Sequence, residues 1–163
     1  MSDHFNPATI KRLHKERPSL RFACAPWLAG ALVDIGVNRM KIDVMNPGDE
    51  YNYAIGITAK CVEIPHDVPN CAWDIVVGGS SVFYATDCGT LAGIEAPERD
   101  LYLVEGNYEE AELHRRMAEK MAVGEFSYEQ RVESTHLSVE QALRFLSENA
   151  GDQSKYVLVH QHK

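Results

Sequence analysis

Histidine and aspartate side chains stand next to several predicted strands, where they could bind a metal ion. Asp3 and His4 precede the first predicted helix, His66 and Asp87 each follow a strand, and His160 follows the last strand. In a layered α/β fold several strand ends meet at one edge of a sheet, and binding sites form there. Imidazole and carboxylate ligands suit zinc, iron or manganese, and a carboxylate also bridges two cations. The ordered set therefore predicts a metal site built from histidine and aspartate.

Each of these residues also has a purely structural interpretation. A single histidine at a strand end is more often a hydrogen-bonded structural residue than a ligand, so the prediction rests on the ordered set. His162 is an alternative to His160, from which one residue separates it, and His160 is preferred because it directly ends an apolar strand. Cys88 follows Asp87, and we interpret it as a packed thiol rather than a metal ligand.

Helices and strands follow one another in the pattern that would position these residues. Asn6-Pro7 predicts the N-terminus of a helix that runs to Pro18. Gly78-Gly79-Ser80 between two apolar runs predicts a hairpin, and Ser138 with Gln141 predicts a capping box at the start of a helix. The other predicted elements are strands over residues 20–24, 42–44, 71–77, 81–85, 101–104 and 156–159, one or two strands over residues 55–64, and helices over residues 26–35 and 108–123.

Composition limits the class of protein. The chain has 163 residues, with 16 Lys and Arg against 24 Asp and Glu, so its formal net charge is −8. This length predicts one domain over residues 1–163, and the acidic balance argues against a broad basic surface for nucleic acid. No apolar run approaches the roughly 18–20 residues that span a bilayer, and the N-terminus lacks the pattern of a signal peptide. We therefore expect a cytoplasmic protein with reduced cysteines and no membrane contact.

Taken in order, these segments resemble the metallo-β-lactamase-fold hydrolases, in particular the branch that holds RNase Z-like nucleases and related phosphodiesterases, including some phage proteins. The resemblance covers essentially the whole chain and is specific in its order, although each motif is short. The segments that carry it are Ser2-Asp3-His4-Phe5, Ile64-Pro65-His66-Asp67, Tyr84-Ala85-Thr86-Asp87-Cys88-Gly89, Val104-Glu105-Gly106-Asn107, His136-Leu137-Ser138 and Val157-Leu158-Val159-His160.

The resemblance implies an αββα sandwich that is incomplete at its N-terminus. The first family motif is His-x-His-x-Asp-His, and Asp3 and His4 take its last two places while Met1 falls on the second histidine. The first two histidines and the family's opening strands therefore have no match in this sequence. We expect a partial domain whose metal site is incomplete.

The resemblance also implies how metal would be bound. One position would use Asp3, His4, Asp87 and His160, while the other would keep only His66 and the bridging Asp87. The implied cofactor is Zn²⁺ or Mn²⁺, with one or two ions per chain. Loss of ligands from the second position predicts weaker binding there.

The function that the resemblance implies is metal-dependent hydrolysis of a phosphodiester in a nucleic acid or a cyclic nucleotide, weakened by the incomplete site. Asp3 would orient the attacking hydroxide, and His136 would donate a proton or hydrogen bond to the developing charge. The alternative is an inactive remnant or fragment of such a hydrolase that acts as a binding or structural module. Missing strands would expose a sheet edge, which predicts a homo-oligomer through that edge.

Overall fold

The computed structural model describes residues 5–53 and 56–161. The helices are α1 (Pro7–Glu16), α2 (Pro26–Asp34), α3 (Glu110–Ala122), α4 (Glu129–Thr135) and α5 (Val139–Asn149). The strands are β1 (Phe22–Cys24), β2 (Ile42–Val44), β3 (Glu50–Tyr53), β4 (Ile57–Ile64), β5 (Asn70–Val77), β6 (Ser80–Ala85), β7 (Leu101–Glu105) and β8 (Lys155–Val159).

The helix starts predicted from the sequence are present. Asn6 accepts a hydrogen bond from the backbone N–H of Thr9 at 2.9 Å, and the first residue of α1 is a proline. At α5, the Ser138 hydroxyl accepts from the backbone N–H of Gln141, and the Gln141 side chain accepts from the N–H of Ser138. These caps satisfy N–H groups that the helix itself leaves unpaired.

Two elements, β3 and α4, were not predicted. β3 is an edge strand with the sequence Glu-Tyr-Asn-Tyr, and Tyr51 and Tyr53 pack against the apolar cluster between the two sheets. This alternation covers only 4 residues, the shortest run that indicates a strand. α4 buries Glu129 and Thr135 instead of apolar residues, so apolar periodicity gives no signal for it.

A six-stranded sheet in the order β3-β4-β5-β6-β7-β8 forms the centre of the fold. From β3 to β6 each strand runs antiparallel to the one before it, whereas β6, β7 and β8 run parallel to one another. The carboxyl ends of β6, β7 and β8 therefore lie at the same edge of the sheet. This edge is where ligands bind in open α/β sheets.

Four layers are stacked, as the αββα prediction requires. Strands β1 and β2 form a small parallel sheet whose outer face packs against α1 and α2. Between the two sheets, Ala25 and Met45 pack against Ala59 and Cys61 of β4. On its other face the large sheet packs against α5, and Phe145 of that helix lies 5.4 Å from the Phe83 ring, centroid to centroid.

The four cysteines are free thiols, as predicted. Cys24, Cys61 and Cys88 are buried and Cys71 is half-buried. Burial, together with the nearby carboxylates Glu105 and Asp87, raises the pKa of the Cys88 thiol far above its usual range. A thiol that stays protonated packs as a small apolar group and is a poor metal ligand.

In the part of the chain that the structure describes, no helix is both long and apolar enough to cross a membrane.

Gly89, two residues after Asp87, lies where the β4–β5 connection meets the end of α4. Its N–H donates to the Pro65 carbonyl at 2.8 Å, and a Cβ at this position would lie 2.7 Å from the Ser134 carbonyl oxygen. Because both neighbours are backbone, neither yields by a side-chain rotation. A substitution must therefore move the chain on one side of the contact.

We expect Gly89→Ala to lower the free energy of unfolding by about 1–3 kcal/mol, the usual cost of overpacking. The matched control is Gly30→Ala in α2, where a Cβ meets nothing within 4 Å. That change should be neutral or should stabilise by about 0.5–1 kcal/mol, because alanine is the better helix former. Urea denaturation measures both effects, and equal stabilities for the two variants would show that the Gly89 contact is not as tight as described.

Candidate metal centre

Three parallel strands each deliver one acidic or imidazole side chain to the same edge of the large sheet. Asp87 follows β6 by two residues, Glu105 is the last residue of β7, and His160 follows β8 directly. The strand register places the carboxyl ends of β6, β7 and β8 side by side, because Ala85 pairs with Val104 and Glu105 pairs with Val159. The parallel half of the sheet thus brings these residues together, as expected for Asp87 and His160.

His136 joins them from the helical layer. It ends α4, two residues before Ser138 caps α5. The Leu137 carbonyl accepts a hydrogen bond from the Asn107 N–H at 2.8 Å, and the Val139 N–H donates to the Tyr108 carbonyl at the same distance. These bonds fasten the short α4–α5 connection to the loop that follows β7.

Glu105 is the acceptor around which the site is arranged. Its side chain is 0% exposed, and its Oε1 lies 2.8 Å from Nδ1 of His136 and 2.6 Å from Nδ1 of His160. Its Oε2 accepts from the Cys88 N–H at 2.9 Å. An ionised carboxylate only accepts hydrogen bonds, so each imidazole donates through Nδ1. Nδ1 of each ring therefore carries a proton.

The protonation states follow from these contacts. Burial alone would raise the pKa of Glu105, but hydrogen bonds from His136, the Cys88 N–H and His160 outweigh it and hold the pKa below its usual value. The hydrogen bond to Glu105 raises the pKa of His136 despite partial burial, and the charges of Glu105, Asp87 and Asp67 act in the same direction. Glu105 is therefore ionised at neutral pH, and His136 holds its proton more tightly than a free histidine.

Asp87 and His160 share an unusual backbone conformation. Their φ angles are 53° and 55°, in the left-handed region that residues other than glycine seldom adopt. An asparagine amide supports each one: Asn70 Nδ2 donates to the Asp87 carbonyl at 2.8 Å, and Asn107 Nδ2 donates to the His160 carbonyl at 2.9 Å. Such strain persists where the surroundings fix it, and it concentrates at functional sites.

The four side chains fit a divalent cation. Asp87, Glu105, His136 and His160 each offer one ligand atom, and these atoms lie within 4.8 Å of one another. Ligand atoms bound at about 2.0–2.4 Å from one ion are separated by no more than about 4–5 Å. The donor set of two imidazoles and two carboxylates suits zinc or manganese.

The sequence-predicted site residues are distributed as follows. Asp87, His136 and His160 come together, with the Asp87 Oδ1 at 3.2 Å from Nδ1 of His160. His66 stands beside this group, since its ring centroid is 5.4 Å from that of His136. Its Nδ1 lies 2.9 Å from the Thr135 carbonyl oxygen and its Nε2 lies 3.1 Å from an Asp67 carboxylate oxygen. Asp3 and His4 lie outside the described residues.

Glu105 is the site residue that sequence reasoning missed. The resemblance used it only to mark the end of a strand and the following turn. A signal was present, because Glu105 is a charged residue placed directly after the apolar run Leu101–Val104. A charge at a strand end is usually solvated, so only the fold shows that this one is buried.

A helix N-terminus can hold a phosphate, but N–H groups at the start of α5 already have partners. The N–H groups of Ser138, Val139 and Gln141 already donate to the Gln141 side chain, the Tyr108 carbonyl and the Ser138 hydroxyl. Ser138 is itself fully buried. A phosphate would have to displace these bonds.

Comparisons with known proteins agree with this architecture. The beta-lactamase superfamily domain matches residues 2–161. The chain belongs to the beta-lactamase superfamily. No curated protein sequence matches it.

The fold of this chain is similar to solved structures with the metallo-β-lactamase fold. The metallo-β-lactamase fold protein YhfI from Bacillus subtilis has a TM-score of 0.65 and 18% identity, over 98% of this chain and 63% of YhfI. The short form of human tRNase Z, ELAC1, has a TM-score of 0.63 and 13% identity, over 100% of this chain and 70% of ELAC1. Zn²⁺-bound PqqB from Methylobacterium extorquens has a TM-score of 0.58 and 15% identity, over 94% and 57%.

The chain spans less than two thirds of the length of YhfI and of PqqB. The presence of tRNase Z among the neighbours fits the RNase Z-like resemblance of the sequence. At these identities the likeness establishes the fold.

We expect Glu105→Gln to weaken Zn²⁺ binding by about 10–100-fold, the usual effect of losing a carboxylate that orients a metal-binding histidine, here His160. The amide keeps the shape of the side chain but carries no charge to hold two imidazole N–H groups. The matched control is Glu109→Gln, because Glu109 is an exposed glutamate four residues away. Isothermal titration with Zn²⁺ measures the affinity, and equal affinity in Glu105→Gln and the wild type would contradict this role.

Proposed function

We propose that this chain is a metal-dependent hydrolase of phosphodiesters whose activity is weakened by an incomplete metal site. The observation that carries the proposal is the cluster of Asp87, Glu105, His136 and His160, in which both imidazole Nδ1 atoms lie between the buried Glu105 Oε1 and the Asp87 Oδ1. The ligand types suit Zn²⁺ or Mn²⁺. The presence of human tRNase Z among the structural neighbours supports a nucleic acid as the substrate.

In this proposal Asp87 and His160 hold the ion, together with Asp3 and His4 from the resemblance, and His66 contributes to a weaker second position. When bound, the metal lowers the pKa of a water molecule and neutralises charge on the phosphodiester. The buried carboxylate of Glu105 fixes the orientation of the His160 ring through its Nδ1.

His136 is the proposed proton donor. Glu105 raises its pKa and occupies its Nδ1, so the protonated ring presents Nε2–H to the substrate side. From there it would protonate the leaving oxygen as the ester bond breaks, while Glu105 stabilises the ring in the correct orientation. Asp3 would orient the attacking hydroxide, as the family resemblance implies.

Metal content and turnover, measured together, test the proposal. In protein purified without chelator and dialysed against Zn²⁺ or Mn²⁺, we expect about one metal ion per chain by elemental mass spectrometry, lost in Asp87→Ala. Weak hydrolysis of bis(p-nitrophenyl) phosphate should be lost in the same variant. The matched control is Asp152→Ala, because Asp152 is exposed in the α5–β8 turn, and it should keep both properties.

Three results separate the alternatives. Two metal ions per chain with robust turnover would show that other groups replace the missing ligands. The proposed loss of activity would then be wrong. One ion without turnover would favour the alternative of an inactive remnant that acts as a binding module. No bound metal under replete conditions would overturn the proposal.

A further inference from the structure

Asp87 and His160 reach the candidate metal centre from positions that a fully extended chain would not allow. The register pairs Glu105 with Val159, so His160 lies one residue beyond the level of Glu105. Asp87 also lies one residue beyond this level, because Ala85 pairs with the residue before Glu105. Side chains at successive levels of a sheet point to opposite faces, so extended strands would turn both side chains away from Glu105.

The left-handed backbone at both residues removes this obstacle. The φ angles of Asp87 and His160 are 53° and 55°, so the extended conformation ends there. The His160 Nδ1 lies 2.6 Å from Glu105 Oε1 and 3.2 Å from Asp87 Oδ1. The contacts of the site therefore depend on two backbone conformations that aspartate and histidine seldom adopt.

Asn70, the first residue of β5, holds the chain at Asp87. β5 runs antiparallel to β6, which brings the start of β5 to the end of β6. The Asn70 Nδ2 donates to the carbonyls of Thr86 and Asp87, both at 2.8 Å. Because peptide bonds are planar, φ and ψ of Asp87 are the two rotations that separate these carbonyls. One amide group therefore fixes the backbone conformation of Asp87.

Asn107 has the corresponding role at His160. It follows β7 by two residues and is 4% exposed. Its Nδ2 donates to the His160 carbonyl at 2.9 Å and to Glu105 Oε1 at 3.4 Å. This amide connects the left-handed backbone of His160 with the carboxylate that orients the His160 ring.

We propose that Asn70 and Asn107 are positioning residues of the metal centre. Each holds one ligand residue, Asp87 or His160, in the left-handed conformation through its amide N–H groups. The inference rests on the proposed function, because it assigns to these two amides an effect on metal affinity.

A purely structural role for the two asparagines predicts a different result. Loss of a buried hydrogen bond lowers the free energy of unfolding wherever the bond lies. Loss of positioning lowers the affinity for metal in protein that remains folded. Metal affinity and thermal stability, measured on the same variants, therefore separate the two roles.

Asn70→Leu and Asn107→Leu test the proposal, because leucine has the branching of asparagine but no N–H to donate. Each variant should weaken Zn²⁺ binding by about tenfold or more, measured by isothermal titration of the full chain below its unfolding transition. In metal-free protein, the NMR coupling between the backbone amide and Hα protons should show a changed φ at the supported residue. Asn70 is half-buried, so Asn70→Leu keeps the test available where the buried Asn107→Leu does not fold.

Two controls accompany these variants. Asn52→Leu makes the same substitution at an exposed asparagine of β3 and should leave Zn²⁺ affinity unchanged. Leu32→Ala removes buried apolar contacts in α2, in the cluster that packs on the small sheet. It should lower the unfolding temperature without changing Zn²⁺ affinity.

Support requires weaker binding and a changed φ in each folded asparagine variant, with unchanged affinity in both controls. Equal affinity in the wild type and the folded asparagine variants would overturn the inference and leave the proposed function intact. Weaker binding with φ unchanged would overturn it too, as would an equal loss of affinity in Leu32→Ala. A wild type that binds no Zn²⁺ would overturn the proposed function and the inference with it.

Discussion

Both histidines of the candidate site donate to one oxygen of the buried Glu105 carboxylate. Removing a carboxylate from water costs several kcal/mol, and this cost is met only if donors surround the charge. Here the donors are two imidazole Nδ1–H groups and the Cys88 N–H, and hydrogen bonds to a charged group contribute about 1.5–3 kcal/mol each. The same contacts that make the burial tolerable also fix the orientation of both rings. The hydrogen bonds to Glu105 therefore determine both the geometry of the site and its local stability.

The parallel half of the large sheet makes this arrangement possible. Because β6, β7 and β8 run in the same direction, Asp87, Glu105 and His160 reach one edge although they are far apart in sequence. Glu105 lies on the same face of β7 as Leu101 and Leu103, because alternate residues of a strand share a face. The candidate site therefore lies on the face of the large sheet opposite to α5.

Much of the fold could be predicted from the sequence because local chemistry specifies it. The hairpin between β5 and β6 follows from Gly78-Gly79, and the start of α5 follows from Ser138 and Gln141. Asp87 and His160 were identified by their places at strand ends. Glu105 was missed because its burial depends on His136, Cys88 and His160, which lie in other segments. β3 was missed because its alternating tyrosines span only 4 residues, and α4 was missed because it buries Glu129 and Thr135 instead of apolar residues.

The most direct test of this account is the tautomer of the two site histidines, measured by long-range ¹H–¹⁵N NMR correlation after a pH titration has found the range in which the spectra show neutral rings. The account predicts that His136 and His160 both carry the proton on Nδ1, with Nε2 unprotonated, and that both rings lose this preference in Glu105→Gln. A proton on Nε2 of either ring in the wild type would contradict the central role of Glu105.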